Sequence, residues 1–281
     1  IETSGITSDY KEALCEFIWN GLEANATEID MNYRSNTAFG IGELSIEDNG
    51  DGINYEELKD TFGAFLTSRK NLISLKMKSK ANKGKGRFSF SSFSNIAKWT
   101  TAYKCGTTLK KYEIVLRDDK KEIIDCTDPV IVRTGKTGTK VEFYNIHTLT
   151  VENMDFEILE PVLLKEFSWF LYLYKNRDIK ISVNGSPVDY SKYINTDLSE
   201  KVYKVINNHI FEINLIVWQE SIKEKFCCYF FDSNNSLKCR ETTTFNRNTI
   251  SFNHSVIIKS SFFDNIDDIK SQLESVQISL F

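Results

Sequence analysis

The first residues of chemical interest are a carboxylate and a carboxamide that lie four positions apart. Glu16 and Asn20 fall in the stretch 8–26, where apolar residues recur at helical intervals and Ser8 is the expected N-cap. Residues four apart share one face of a helix. This pair therefore predicts a site in which one of the two groups polarises a water molecule while the other holds a metal ion. Alone, the pair is more typical of a solvated helix face.

The segment "IEDNGDGINYEEL" (Ile46–Leu58) raises a choice between a calcium loop and the floor of a ligand pocket. An EF-hand loop needs alternating oxygen ligands, then a glycine, an apolar residue two positions later and a Glu at its end. The first half fits, with Glu47, Asn49, Asp51 and Gly52. The second half fails, because Asn54 falls on the apolar position and Leu58 on that of the Glu. The preceding "GELSIED" also alternates like a strand, whereas a helix precedes an EF-hand loop. Calcium is therefore disfavoured.

The same loop suits a flat ligand. Asp48 closes the predicted strand, and Gly50 and Gly52 allow the backbone to approach a ring closely. A buried Asp there accepts a hydrogen bond from an exocyclic amine. The following "NYEELKDTFGAF" predicts a helix capped by Asn54.

A polar, lysine-rich stretch from Thr67 to Arg87, "TSRKNLISLKMKSKANKGKGR", predicts a long mobile loop. Gly84 and Gly86 near its end are able to turn successive amide groups toward phosphate oxygens. Its lysines also suit DNA or RNA, although a solvated loop beside a triphosphate is favoured: Lys70, Lys76, Lys78, Lys80, Lys83 and Lys85.

Later segments add one more candidate and several elements. Gly138 and Thr139 enter a predicted strand, "TGTKVEFYNI", with a hydroxyl able to bond a base edge. A helix is predicted over "DFEILEPVLLKEFSWFLYLYKN", with Pro161 in its first turn or at a kink. The Asn-Gly pair in "DIKISVNGSPVDY" predicts a tight hairpin.

Composition excludes some classes of protein. The 281 residues carry a net charge of −4, so no global field draws the chain to nucleic acid or anionic lipid, and no apolar run is long enough for a membrane span. The six cysteines show no CxxC spacing and are expected to be reduced core thiols, which favours a cytoplasmic location, or a nuclear one in a eukaryote. Because the chain begins with Ile1, we expect it to be a piece of a longer protein.

The four pieces occur together in one order: E-x3-N, then D-x-G-x-G, then a lysine- and glycine-rich loop, then G-T before a strand. This set resembles the GHKL superfamily of ATPases, which includes gyrase, the heat-shock chaperone ATPase, histidine kinases and MutL. The resemblance spans roughly 8–184 and is closest to the chaperone-like, MutL-like and MORC-like branches. It implies a two-layer α/β sandwich of the Bergerat type, with helices on one face of a mostly antiparallel sheet.

The resemblance also implies a role for each matched residue. Glu16 would be the general base, Asn20 the Mg²⁺ ligand, Asp48 the acceptor of the adenine amino group, and Thr139 a support for the base through water. Gly50 and Gly52 would shape the adenine pocket. The lid and phosphate contacts would come from Lys83, Gly84, Lys85, Gly86 and Arg87. Two positions depart from the pattern: Glu23 stands where Asp is more usual, and Ala81 replaces the first lid glycine.

From these implications we expect an ATP-binding domain over 1–193 and an incomplete, transducer-like α+β domain over 194–281. A transducer cation in this superfamily contacts the γ-phosphate, for which Lys259 is the leading candidate and Lys238 and Arg240 are others. The expected function is slow, Mg²⁺-dependent ATP hydrolysis that drives a conformational and dimerisation switch. The expected partners are ATP and ADP, a second copy when nucleotide is bound, and a protein or DNA client held by regions outside this chain, with no membrane.

Three alternatives stay open. A pseudo-ATPase would bind nucleotide without turnover, although the presence of both Glu16 and Asn20 argues against it. A DNA-associated clamp of MORC or MutL type would use the same kind of ATP-binding domain. A calcium or nucleic-acid module without nucleotide is the third. A histidine kinase is disfavoured, because the chain lacks an upstream phosphoacceptor helix and its later strands do not suit such a kinase.

Overall fold

The computed structural model describes residues 7–36, 39–58, 86–120, 124–243 and 252–265. It begins with helix α1 (Tyr10–Glu23), whose N-cap is Asp9, with a side chain that accepts from the amide of Lys11. The predicted cap at Ser8 is therefore wrong by one residue, since both side chains are good cap acceptors and only the local geometry separates them.

A nine-stranded sheet forms the framework of the first part of the chain, as far as the described residues go. Its strands are β1 (Glu28–Ser35), β2 (Ile41–Asp48), β3 (Ser94–Cys105), β4 (Thr108–Arg117), β5 (Asp125–Cys126), β6 (Val130–Val132), β7 (Gly138–Ile146), β8 (Lys180–Val183) and β9 (Ser186–Pro187). The order is β5-β4-β3-β7-β2-β1-β8-β9, with β6 also on β4, and every pairing is antiparallel except that of β1 with β8. The central strand β7 thus lies between β3 and β2.

One face of this sheet is apolar and is covered by α1. Buried side chains alternate along β3, as a strand with one covered face requires. Phe17 of α1 lies with its ring centroid 4.9 Å from that of Phe143 on β7 and 6.2 Å from that of Trp99 on β3. Aromatic pairs at these distances add to the burial that fixes the helix on the sheet.

Two helices follow the sheet's last long strand. The short α2 (Val151–Met154) starts with a capping box at Thr150, and α3 (Phe156–Leu173) follows it. Pro161 is the sixth residue of α3 and therefore lies beyond the first turn of this helix. The sequence had allowed either the first turn or a kink.

A second, five-stranded sheet occurs later in the described chain, in the order β10-β11-β14-β12-β13. Its strands are β10 (Glu200–Ile206), β11 (His209–Trp218), β12 (Cys227–Phe231), β13 (Leu237–Thr242) and β14 (Asn253–Lys259). Residues 164–172 of α3 join it in one compact unit with 190–281, while 1–163 and 173–189 form the other unit.

The predicted α+β class with a mostly antiparallel sheet is confirmed. The predicted hairpin at Asn184 and Gly185 is confirmed by positive φ angles of 47° and 80°, as is the cap at Asn54, which begins a 3-10 turn, Tyr55–Glu57. The remainder of that predicted helix lies outside the described residues. The prediction that all six cysteines lie in the core is wrong in part. Cys15 and Cys227 are buried, Cys126 is exposed, and the other three are half-buried.

Candidate functional site

Three polar side chains lie in one row across the central strands. Asp48 at the end of β2 is directly opposite Thr139 near the start of β7, and Thr139 is directly opposite Thr101 on β3. Directly opposed residues of antiparallel strands point to the same face of the sheet. The row therefore marks where the apolar face under α1 gives way to polar groups.

The two threonines of the row form a buried hydroxyl pair. Their Oγ1 atoms are 3.0 Å apart, and both side chains are almost fully buried. Thr101 Oγ1 also accepts from the amide of Ile53 at 2.9 Å, and it lies 3.3 Å from the carbonyl oxygen of Gly138. Thr101 thus joins the loop after β2 to the start of β7.

Asp48 is a half-buried carboxylate whose charge is costly. Burial raises its pKa to about 6, and repulsion by Glu47 and Asp51 adds to this, while hydrogen bonds from the amides of Gly50 and Thr139 oppose the shift. At neutral pH the group is mainly ionised and acts only as an acceptor. A perturbed carboxyl at the edge of a core is a typical functional candidate.

Glycines allow the backbone around Asp48 to close tightly. A Cβ at Gly138 would lie 2.2 Å from the carbonyl oxygen of Asp48, and one at Gly52 would lie 2.1 Å from that of Ala102. Gly50 is similarly confined, with 2.5 Å from such a Cβ to the carbonyl oxygen of Ala24. No other residue type fits these positions without moving backbone, so the glycines keep the loop against the sheet.

The loop after β2 is tied to the turn that follows α1. Asn49 Oδ1 accepts from the amides of Thr27 and Glu28, and the carboxylate of Asp51 accepts from the side chain of Asn25 at 2.6 Å. These side chains, two of which resembled calcium ligands in the sequence, hold local structure instead. Within the described ranges, no group of three or more His, Cys, Asp or Glu side chains is placed to hold a metal ion.

Helix α1 connects Asp48 to a second set of groups. A Cβ on Gly21 would lie 3.0 Å from the Cβ of Asp48, so the helix backbone passes close to the base of this side chain. More than a turn earlier, the carboxylate oxygen Oε2 of Glu16 comes within 2.6 Å of where a Cβ of Gly86 would be. The step of five positions from Glu16 to Gly21 spans about 7.5 Å of helix.

Gly86 begins a 3-10 helix, Gly86–Ser92, and Arg87 follows it as a largely buried cation. Burial lowers the pKa of Arg87 to about 10, so its guanidinium keeps its charge at neutral pH. The structure thus brings Glu16 together with Gly86 and a positive side chain next in sequence. The predicted lid residues Lys83, Gly84 and Lys85, the substituted Ala81 and the lysines 70–80 lie outside the described residues.

Asn20 and Glu23 are both half-buried positions on α1. Asn20 lies one helical turn after Glu16 and immediately before Gly21, between the two contacts just described. A carboxamide oxygen is a ligand that Mg²⁺ accepts, and Mg²⁺ needs only one or two protein groups when phosphates supply the rest. The donor set therefore fits this ion.

The candidate cations of the second unit have partners there. Lys259 at the end of β14 donates to Asn235 Oδ1 at 2.6 Å, and Arg240 forms an ion pair with Glu224 at 2.8 Å. Lys238 Nζ lies 3.5 Å from a carboxylate oxygen of buried Asp232. Lys259 has an uncharged partner, so its role as a phosphate contact stays a prediction.

Residues 7–137 match the sequence model of a family described as histidine kinase-, DNA gyrase B-, and HSP90-like ATPase. Over these residues the chain is similar to ATPases of the GHKL superfamily. The match includes the Glu16–Asn20 helix, the Asp48 loop and Thr101, and it ends just before Gly138. Comparison with curated proteins gives no match.

Solved structures similar to the chain include two ATPase domains. One is the Aquifex aeolicus MutL ATPase domain complexed with ADP, at 14% identity and a TM-score of 0.42, covering 91% of this chain and 92% of that one. Another is the ATPase region of Saccharomyces cerevisiae topoisomerase II, at 19% identity and a TM-score of 0.47, covering 89% of this chain and 72% of that one.

Among the helices in the described ranges, none is long and apolar enough to cross a bilayer.

Sequence reasoning missed Thr101. Its strand reads "WTTAY", and nothing in that pattern distinguishes Thr101 from Thr100 except the alternation that turns one of them inward. The pairing of β3 with β7 is what brings Thr101 to Thr139.

Proposed function

We propose that the chain binds ATP with Mg²⁺ and hydrolyses it slowly, with the base at Asp48 and the triphosphate along α1 toward Gly86. The observation that carries this proposal is the helix α1 itself, which passes close to Asp48 at Gly21 and reaches Gly86 through Glu16. A GHKL family match over the same residues supports nucleotide chemistry.

At the base end, the ionised Asp48 accepts from the exocyclic amine of adenine, and Thr139 supports the ring through a water. Gly50 and Gly52 hold the loop after β2 against the backbone of Ala24 and Ala102 and would in this way shape the edge of the base pocket. Because Asp48 is half-buried, a hydrogen bond to its charged form contributes more than one in water would.

At the phosphate end, Glu16 orients and deprotonates the attacking water, and Arg87 with the lysines before it neutralises charge on the triphosphate. Asn20 would hold Mg²⁺. When bound, this ion would neutralise charge on the triphosphate and orient it. Phosphoryl transfer asks little more of a protein than positioning and charge. Glu23, Gly84 and Gly86 complete the proposed set of contacts.

The direct test measures phosphate release from ATP and Mg²⁺ by the wild type, Glu16→Ala and Glu12→Ala. Glu12 lies one turn earlier on the same helix and is exposed, which makes it a matched control. We expect Glu16→Ala to lower turnover by at least about a hundredfold while ATP still binds, and Glu12→Ala to leave turnover unchanged. Equal turnover in all three proteins would exclude Glu16 as the base.

The same proposal includes a switch. Nucleotide would order the stretch 67–87, couple the ATP-binding domain (1–193) to the transducer-like domain (194–281), in which Lys259 is the proposed nucleotide sensor, and favour a homodimer. The proposed switch rests on the glycines and lysines that the sequence contains in 67–87. Hydrogen exchange of 67–87 should slow when ATP and Mg²⁺ are added, and identical exchange in both states would contradict the switch.

A pseudo-ATPase is the second candidate. It would bind ATP as in the main proposal and show no turnover in the wild type. Half-burial of both Glu16 and Asn20 beside the Gly86 contact favours the active enzyme over this alternative.

A further inference from the structure

Strand β10 is an outer edge of the five-stranded sheet in the part of the chain that the structure describes, and its apolar side chains are exposed. The exposed fraction is 61% for Tyr203, 72% for Val205 and 54% for Ile206. Ile210, directly opposite Val205 on β11, is 61% exposed. Edge strands that stay unpaired are usually very short, bulged or covered. The seven residues of β10 pair with β11 in an unbroken register, so this edge is regular and indicates an interaction surface.

The backbone of β10 presents alternate amides and carbonyls at this edge. The amide of Val217 on β11 donates at 3.0 Å to Oγ of Ser199, which directly precedes β10. Odd-numbered residues of β11 therefore direct their backbone groups toward β10, where their partners are even-numbered, as in the pair of Ile213 with Val202. The backbone groups that point away from β11 belong to the odd-numbered residues of β10: Lys201, Tyr203 and Val205.

Two charged side chains of β10 stand without partners. Glu200 and Lys204 are both exposed, and because they are four residues apart on a strand they lie on the same face of the sheet. Among the described residues, neither side chain forms an ion pair or a hydrogen bond, whereas the neighbouring Lys201 forms an ion pair with Glu212 at 2.9 Å. The strand thus carries a free negative charge at its start and a free positive charge toward its end.

This order of charges is self-complementary. When two copies of β10 pair antiparallel about a twofold axis at Val202, Glu200 of each copy lies opposite Lys204 of the other. Lys201 then lies opposite Tyr203, and both of these residues have backbone groups that point outward and are able to exchange hydrogen bonds. Opposite charges that face each other across two strands stabilise the pairing. Side-chain charge and backbone direction therefore agree in this register.

The other symmetric registers centred within 200–205 are disfavoured by charge. Pairing about Tyr203 places Glu200 opposite the apolar Ile206, and pairing about Val205 places Lys204 opposite it. Like charges directly opposite each other destabilise a strand pair. They arise when the axis passes through any of the three charged residues: Glu200, Lys201 and Lys204.

We propose that β10 is a docking surface for a second copy of this chain, which pairs with it antiparallel about Val202. The two five-stranded sheets then form one continuous sheet across both copies, with two symmetric ion pairs between Glu200 and Lys204. The exposed Leu198 at the start of one strand comes beside the hairpin tip with Ile206 of the other. The contact involves no nucleotide and is separate from the homodimer of the proposed switch.

The test is sedimentation equilibrium without nucleotide, from about 1 μM to about 500 μM protein. It compares the wild type with Glu200→Lys, with Lys204→Glu and with the double variant that carries both changes. We expect the wild type to form a dimer and each single variant to raise the dissociation constant by about tenfold or more, because two attractive pairs become two repulsive ones. The double variant restores opposite charges and should return to within about threefold of the wild type.

Glu220→Lys is the matched control. Glu220 is exposed in the same unit but lies after β11, so the same change of charge there should leave the dissociation constant unchanged. All of these positions are exposed, so the variants should fold, which circular dichroism checks. If one single variant does not fold, the other makes the same test from the opposite member of the pair.

Three results would overturn the inference. A wild type that stays monomeric over the whole range would leave the edge to a different partner. Equal dissociation constants for the wild type and the single variants would place the dimer contact on another surface. A double variant as weak as the single ones would exclude pairing about Val202. Because nucleotide is absent, each of these results leaves the proposed ATP hydrolysis unaffected.

Discussion

The two ends of the proposed site are built in different ways. At the base end, Asp48, Thr139 and Thr101 come from three neighbouring strands and are aligned by the register of the sheet. At the phosphate end, Glu16 and Asn20 come from one face of a single helix, opposite the entry to a 3-10 helix at Gly86.

This difference separates recognition from chemistry. Strand register fixes side chains through many backbone hydrogen bonds, so the base end is held rigidly and tolerates little added volume. The phosphate end depends on the far end of a long, rotatable Glu side chain and on the stretch that leads into Gly86. Changes at the base end should therefore cost folding and affinity, whereas changes at the phosphate end should cost turnover.

The largest effect is expected at Gly138. Gly138→Ala would place a Cβ 2.2 Å from the backbone oxygen of Asp48, at a φ of 149°, so the pairing of β2 with β7 must open. We expect a loss of roughly 3 kcal/mol or more in the free energy of unfolding, together with loss of ATP binding. Gly135→Ala is the matched control, because its φ of 134° is equally restricted but a Cβ there meets only Leu109 at 3.4 Å. Similar denaturation midpoints for the two variants would contradict the rigid base end.

A smaller and more selective effect is expected from two glycine substitutions along α1. Gly86→Ala pushes only the carboxylate of Glu16, so we expect turnover to fall by about tenfold or more with ATP affinity nearly unchanged. Gly21→Ala crowds Asp48 and Ile29 at 3.0 Å, so affinity should fall more than turnover. Steady-state kinetics and calorimetry on both variants check the split, and the same pattern in both would remove the distinction between the two ends.

The smallest effect is the pH dependence of binding. The pKa of Asp48 is raised to about 6, mainly by burial, and only the ionised form accepts from an amine. ATP affinity should therefore fall as pH drops from 7 to 5, by up to about tenfold. Asp48→Asn, in which only the titration of the phosphates remains, provides the control. An identical pH dependence in both proteins would exclude the carboxylate of Asp48 as the hydrogen-bond acceptor for the base.

The same shift has an opposite consequence for the nucleotide-free protein. Because the folded-state pKa lies above the unfolded value near 4, the buried charge destabilises the fold above pH 6, by at most about 3 kcal/mol. Relative to Asp48→Asn, the wild type should gain stability as pH falls from about 6 to about 4.

Much of the site follows from local sequence pattern. Spacing predicted that Glu16 and Asn20 share a helix face, that Asp48 ends a strand and that Thr139 begins one. Thr101 was not predictable, because its meaning comes from the register of β3 against β7, which joins segments far apart in sequence. Likewise, the approach of Gly86 to Glu16 depends on how α1 packs on the sheet. Neither segment contains a sequence pattern that predicts this contact.

The measurement that tests the central claim most directly is calorimetry of ATP with Mg²⁺ on the wild type, Asp48→Asn and Glu47→Gln. Glu47 precedes Asp48 on β2 and is exposed, so its substitution controls for loss of one negative charge nearby. We expect the wild type and Glu47→Gln to bind alike, and Asp48→Asn to bind at least about tenfold more weakly, since a hydrogen bond to a charged group is lost. Absence of binding by the wild type, or equal binding by all three proteins, would contradict a base site at Asp48.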